Sequence, residues 1–502
     1  MWQDYENRRI IRTLNGVVEL RLKIRRCPNS ECERYRLPYR PEAEGQWALP
    51  QQEFGLDVIA WVGQLRHQEH RSVSEIHQQL QQRGLCVSER TVSNLLYRYD
   101  ELVALRLSDV QRLSSILQAQ QQVVLAIDGL QPDVGHEILW VIRECLSGEI
   151  LLARTLLSAT HQDLAALFEE VKPLLCVPVL GVISDGQHSI RQAVALAFPA
   201  VAHGLCHFHY LKEAAKQIYD ADRHAKKELK KLVRGVRTLE RQPPIDLNTD
   251  EVMQGYCQAV RSALTDDGRP PLDAAGLRLR DRISAIEQSL SRVEQKGGLP
   301  QPLTKLNQLL KRALTQTEAL WQPIAQSFEW VHQAATILRN EAELCSREVR
   351  RRFQGLMGAM GRWKTQVPSL KKAVEHFLKV TRSYWSGLFY CYDIAALPRT
   401  NNDLEQTFGK WRHHQRRCCG QKVAPATAVI RGSVQLTSAL ATQQKPFFAP
   451  ELATVPHEQW QQLRSTLRHH QQKRVQQRQF RRAPQTYLAQ LEQKLLQQTL
   501  PP

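Results

Sequence analysis

Long apolar runs are missing from this 502-residue chain. None approaches the ~20 residues of a membrane-spanning helix, and the opening MWQDYENRRIIRTLNG has no apolar core of the kind that directs export. These absences exclude a helical membrane protein and point to the cytoplasm. A disulfide framework is missing too: eleven cysteines, an odd number without regular spacing, read as reduced and mostly buried. What is there, 42% hydrophobic and 24% charged residues, belongs to globular proteins. The length exceeds what one core usually serves, so two to four structural units are expected.

The formal charge of +18 suggests a polyanionic partner, and its distribution is more telling than its sum. Between Leu107 and Tyr210 five basic residues (Arg112, Arg143, Arg154, Lys172, Arg191) face ten acidic ones, so this segment is about −5 and the rest about +23. An acidic segment inside a basic protein suggests a cation site flanked by phosphate-binding modules.

Read in order, residues 1–50 carry GVVELRLKIRR, a strand pattern over Gly16–Arg26, followed by Cys27-Pro-Asn-Ser-Glu-Cys32. That knuckle is half of a zinc ribbon. Zinc needs about four ligands and no second half follows, so Cys27 and Cys32 read as a degenerate ribbon or a simple turn, and as ligands only if zinc binds. Residues 51–106 hold three helical patterns. Ser72-Val-Ser-Glu75 opens the second as a capping box, Gly84 breaks it, and Ser88 caps the third. This is the pattern of a helix-turn-helix DNA-binding domain, and an ordinary helical hairpin shares it. Arg90 and Asn94 stand at the start of the later helix, where such a domain reads bases.

After a linking helix the period changes. Residues 120–211 give strands Val123–Leu130, Ile138–Cys145, Ile150–Leu157, Pro178–Ile183 and Val201–Leu205, with helices His161–Val171 and Ser189–Ala197. The order β-β-β-α-β-α-β describes a mixed sheet: an antiparallel meander, then crossover strands. In it the first and fourth strands can pair at the centre. Residues 212–396 read as an all-helical insertion, including separate helices over Pro302–Leu320 and Phe328–Leu338. Residues 397–440 hold the helix of TNNDLEQTFGKWR, and 441–502 form a basic Gln/Arg-rich tail with Arg464, Arg468, Lys473, Arg474, Arg478, Arg481 and Arg482. The tail reads as a solvated helix or disorder that could contact nucleic acid.

Three acids carry the chemistry. Asp128 ends VVLAID before a glycine, Asp185 ends VLGVISD before another, and Glu405 lies on the later helix. Two strand-end acids and a third on a helix form a carboxylate cage for hard divalent cations, Mg²⁺ or Mn²⁺. Two such ions can activate a water or a DNA 3′-hydroxyl and stabilise the leaving oxygen. Glu405 and Arg412 are seven residues apart, hence on one helix face, with Lys410, Trp411, Arg416, Arg417 and Lys422 extending a phosphate-binding strip. Asp403 competes for the ligand role, but it sits in the first helical turn, where the helix dipole favours an acid.

Together AIDG, ISDGQHSIRQAV, the Cys206-His-Phe-His209 pair after the last strand and TNNDLEQTFGKWR resemble a prokaryotic insertion-sequence transposase. The resemblance covers roughly Gln121–Val434. It implies an RNase H-like α/β core with a DDE triad, of the Mutator-like kind in which a large helical insertion separates the second Asp from the Glu. By that resemblance Asp128, Asp185 and Glu405 are catalytic and bind two metal ions, and Cys206 and His209 organise or contact the substrate. It further implies double-stranded DNA partners (element terminal repeats and target), a homo-oligomer when paired ends are held, and a nucleoid-associated cytoplasmic location. Two other readings are a domesticated, non-catalytic DNA-binding regulator and a metal-dependent nuclease without strand transfer.

Overall fold

The computed structural model describes residues 1–131, 137–241, 247–364, 368–420 and 427–499. They form two compact units: residues 1–180, 189–201 and 402–502 in the first, 181–188 and 202–401 in the second. No helix among the described residues is long and apolar enough to cross a membrane.

The first unit opens on a hairpin, β1 (Trp2–Thr13) and β2 (Gly16–Arg26), with Thr13 opposite Gly16. β2 has the bounds its alternation predicts; β1 was not anticipated. Its strand character is hidden by charge, since only Ile11 and Thr13 are buried along it. The signal that marks it is Asn15-Gly16, with Gly16 at φ 120° closing a two-residue connection. Beyond it, the short α1 (Glu44–Trp47) buries Glu44 against Arg9 and Arg40.

Three helices follow as expected: α2 (Leu56–His67), α3 (Val73–Gln82) and α4 (Glu89–Leu107). The Ser72/Glu75 capping box and the Ser88 cap are both made, and Gly84 turns at φ 78°. Their shared apolar cluster also contains Phe447, Leu452 and Trp460 from the far end of the sequence. α2 and α4 approach closely at Gly63, where a Cβ would stand 2.3 Å from the Tyr99 ring. Gly63→Ala is therefore expected to destabilise the protein by about 1–3 kcal/mol through overpacking, read as a lower urea midpoint at unchanged slope.

α5 (Val110–Gln120), capped by Asp109, leads into the sheet. β3 (Val123–Leu130), β4 (Ile138–Glu144) and β5 (Ile150–Leu156) form an antiparallel meander. α6 (His161–Val171), opened by a Thr160/Asp163 capping box, packs on β5. β6 (Val179–Ser184), α7 (His188–Ala197) and β7 (Ala202–Leu205) follow, with β6 and β7 parallel. The strand order is β5-β4-β3-β6-β7. Leading into β6, Pro178 O accepts from Val123 N at 3.0 Å. Val123–Ile127 is buried at every position, as a strand covered on both faces must be.

The second unit is mainly helical: α8 (His207–Ala214), α9 (Lys216–Val233), α10 (Val236–Glu240), α11 (Leu247–Thr265), α12 (Ala275–Gly297), α13 (Gln301–Arg339), α14 (Ser346–Trp363) and α15 (Lys371–Tyr384). One expectation fails here. Pro302–Leu320 and Phe328–Leu338 are not two helices but parts of α13, which runs 39 residues through Pro323. An interior proline costs about 3 kcal/mol. Trp321, Ile324, Phe328, Trp330 and Val331 are all buried around it, and at about 1.5–3 kcal/mol each their burial outweighs that cost.

The chain ends in the first unit with α16 (Asn402–Cys419), α17 (Thr427–Gln444), α18 (Ala449–Ala453), α19 (His457–Arg482) and α20 (Pro484–Thr499). α17 packs on β4, β5, α2 and α4. Of the alternatives for the tail, helix is the one observed over His457–Arg482 and Pro484–Thr499. Arg474 leaves the basic strip, being buried in a 2.9 Å ion pair with Glu137.

Candidate functional site

In the first unit, β3 delivers Asp128 half-buried at the end of its buried run, with Oδ1 accepting from Gly129 N at 2.8 Å. Gly129 pairs with Trp140, and a Cβ there would stand 2.9 Å from Ile138 Cγ2 and 3.2 Å from the Trp140 ring. The glycine after the acid therefore lets β4 close against β3. Leu404, Phe408 and Trp411 are buried along α16 at helical spacing, and α16 packs on β3. Glu405, next to Leu404, is half-buried.

The faces of α16 separate the two candidate acids. Asp403, Gln406, Thr407 and Lys410 line a cleft of about 620 Å³ together with Arg106, Arg143 and the Arg112–Glu149 ion pair. At about 100° per residue, Arg412 and Arg416 each fall within about 20° of Glu405, on either side of it, while Lys410 and Arg417 lie over 100° from Glu405. The expected strip is accordingly two strips. Lys410, Arg412, Arg416 and Arg417 are exposed, but Trp411 is fully buried and takes no part, because its ring fills the core under the helix. Lys422 lies outside the described residues.

In the second unit Asp185 follows β6, half-buried, its Oδ1 accepting from Gln187 N at 2.9 Å and its carbonyl from Tyr384 OH at 3.0 Å. Gly186 turns at φ 85°, and a Cβ there would stand 2.6 Å from the Tyr384 ring. Asp185, His209, Lys212 and Tyr384 line a cleft of about 430 Å³. His209 thus shares a cleft with an acid, whereas Cys206 is buried at the start of α8: its N donates to Ser184 O at 2.8 Å and its Sγ accepts from Asn401 N at 3.3 Å. Cys206 is placed to orient the segment after β7.

His207, between them, is buried and hydrogen-bonded through Nε2 to Leu388 O at 2.8 Å. Burial pushes it down to about 4, so the unfolded chain binds its proton more readily than the folded one. Its contribution to stability is complete above the ordinary histidine range, about pH 6.5, and is lost as pH falls towards about 4. The urea midpoint is expected to drop more steeply across that window in the natural protein than in His207→Gln.

At the start of α4, Arg90 is exposed and Asn94 half-exposed. Cys27 and Cys32 sit in a turn in which Cys27 O accepts from Arg36 N and Cys32 N donates to Asn29 O. Among the described residues no further histidine, cysteine or carboxylate joins them in a three-ligand group. Such a group does form elsewhere, from His70, His414 and Cys418, and the sequence reading missed it. Its trace is His-x-x-His at 67–70 and His-x-x-x-Cys at 414–418, two weak half-motifs separated by more than 340 residues.

No family model matches the chain, and no characterised protein is significantly similar to it.

Proposed function

We propose that the protein is a DNA transposase that binds the ends of its element, cuts them in a metal-dependent reaction and joins 3′-hydroxyls to target DNA. The observation that carries this reading is the seating of α16 on β3, which puts Asp128 and Glu405, far apart in the chain, on one packed pair of elements. In this reading Asp185 completes an RNase H-like set of three acids.

Carboxylate oxygens are the donors that hard divalent ions take, so the side chains fit magnesium or manganese, and Asp128, Asp185 and Glu405 would hold it. Bound there, it supplies Lewis-acid activation of a water or 3′-hydroxyl and charge for the leaving oxygen. Arg412 and Arg416, on the Glu405 face, then fix phosphates beside the acids. Asp403 faces the other cleft, with cations that neutralise it. Arg90 and Asn94 read end sequences, and His209 contacts the strand near Asp185. Holding two ends requires two copies of the chain, in the nucleoid.

The test is incubation of the full chain with DNA carrying its element's termini, with Mg²⁺ or Mn²⁺. Terminal nicks and joined products are expected. Binding without cleavage overturns the catalytic reading in favour of a regulator, and nicks without joined products make the protein a nuclease.

A further inference from the structure

The first unit contains a second arrangement of ligand-type side chains with no place in the proposed reaction. His414 and Cys418 are four residues apart on α16, hence on one face, and both are buried. Across from them His70 stands in the turn after α2 with a left-handed backbone, φ 57°, a conformation uncommon for a residue with a side chain. One ligand atom from each of the three lies within 4.8 Å of the others. His414 Nδ1 is 2.7 Å from His70 Nδ1 and 3.5 Å from Cys418 Sγ. Around a tetrahedral zinc ion two nitrogen ligands are roughly 3.3 Å apart, and a nitrogen and a sulfur roughly 3.6 Å. Cys418 Sγ stands nearly as close to His414 Nε2, at 3.7 Å, and so lies beside the ring; rotation of the Cys418 side chain and of the half-buried His70 imidazole brings the three ligand atoms around one ion.

The surroundings single out one nitrogen of His414. Its other one, Nε2, is 3.2 Å from His67 Nδ1, and His67 Nε2 is 2.8 Å from Asp100 Oδ1. Ser438 Oγ donates to the same Asp100 oxygen at 2.6 Å. One set of tautomers satisfies the whole row: His414 Nε2–H donates to His67, and His67 Nε2–H donates to Asp100. That leaves the lone pair of His414 Nδ1 directed at His70, with Cys418 Sγ beside the ring. A ring whose far nitrogen donates into a buried histidine–carboxylate pair is the usual support of a metal-bound histidine. Burial pushes the Cys418 thiol up to about 11, and Arg66, which donates to Cys418 O at 3.4 Å, works against that rise.

We infer that His70, His414 and Cys418 bind a zinc-class transition metal ion, through two Nδ1 atoms and Sγ, with water in the fourth position. Two soft or borderline nitrogens and a thiolate select against magnesium and for zinc, so this centre is separate from the carboxylates of the proposed reaction. It ties the turn between α2 and α3 to α16, and so fixes the helix that carries Glu405. The inference stands whether or not the protein moves DNA.

Cobalt(II) is the probe, added to the full chain freed of metal by dialysis against chelator. One cobalt per chain is expected, with the sulfur-to-metal charge-transfer band of a thiolate ligand and the visible bands of a four-coordinate ion. Cys418→Ser removes the charge-transfer band. His70→Ala weakens binding by about tenfold or more, and His67→Ala, which touches no metal, by about 10–100-fold through the loss of support. Cys419→Ser, His413→Ala and the Cys27→Ser/Cys32→Ser pair leave both the stoichiometry and the band unchanged. The inference is overturned if the folded natural protein, checked by circular dichroism, takes up no cobalt, or if the band survives Cys418→Ser. Loss of the band in Cys419→Ser or in the Cys27/Cys32 variant also overturns it, by moving the site elsewhere.

Discussion

Glu405→Gln is expected to lower the proposed metal-dependent cleavage of DNA by roughly a thousandfold or more, about 4 kcal/mol at 1.36 kcal/mol per decade, with α16 still in place. The substitution keeps the side chain's shape and removes only the charge that a hard cation needs. Because Glu405 lies beside the buried stripe of Leu404, Phe408 and Trp411 rather than in it, the fold has little to lose. Asp128→Asn is expected to behave alike. Asp403→Asn is the informative comparison: it faces the cleft lined by Arg106, Arg143 and Lys410, and its effect should stay within a few fold. The charge strip divides the same way, so Arg416→Gln should weaken cleavage more than Lys410→Gln. The measurement is the initial rate of terminal nicking at matched circular dichroism; an Asp403→Asn loss as large as that of Glu405→Gln would sink the assignment of the third acid.

Arg431→Ala is expected to cost the protein about 3–5 kcal/mol, because it leaves a buried carboxylate without its cation. Glu101 is 2% exposed, and its two oxygens accept from Arg431 Nη2 and Trp460 Nε1, each at 2.8 Å. The same guanidinium donates to Tyr97 O at 3.0 Å and stacks over the Tyr97 ring, 4.2 Å from its centre. Lysine offers neither the fork nor the flat face, so Arg431→Lys should recover only part of the loss. Replacing both charges, Glu101→Gln with Arg431→Met, removes the uncompensated group and should lie much closer to the natural protein than Arg431→Ala. Urea midpoints of the four proteins give the comparison.

Most of the sheet was legible because its strands announce themselves: Val123–Ile127 and Ile138–Ile142 are dense in β-branched and aliphatic residues, and turn residues set them off. The caps of α3 and α4 were legible for a similar reason, since Ser72/Glu75 and Ser88 act on neighbours a few residues away. What escaped depends on partners far off in the chain. Continuation of α13 through Pro323 is decided by tertiary burial of Trp321 and Phe328, which local propensity does not contain. Trp411 reads as a surface residue among cations until β3 is known to lie under the helix. The split of the α16 cations was within reach, because the angle between Lys410 and Arg412 follows from helix geometry alone. The histidine cluster was out of reach, because each half-motif is unremarkable until a separation of 344 residues is closed.

The N-terminal helices α2 to α4 do not finish their own interior. Tyr99 OH meets Thr442 Oγ1 across 343 residues of sequence, Gln64 donates to Phe447 O, and Trp460 fills the same cluster. On a ribosome adding about 5–20 residues per second, that gap takes roughly 20–70 s to synthesise. Through that interval the nascent helices wait with Tyr99 and its apolar neighbours uncovered. These helices thus cannot complete their packing until the chain has grown past Trp460.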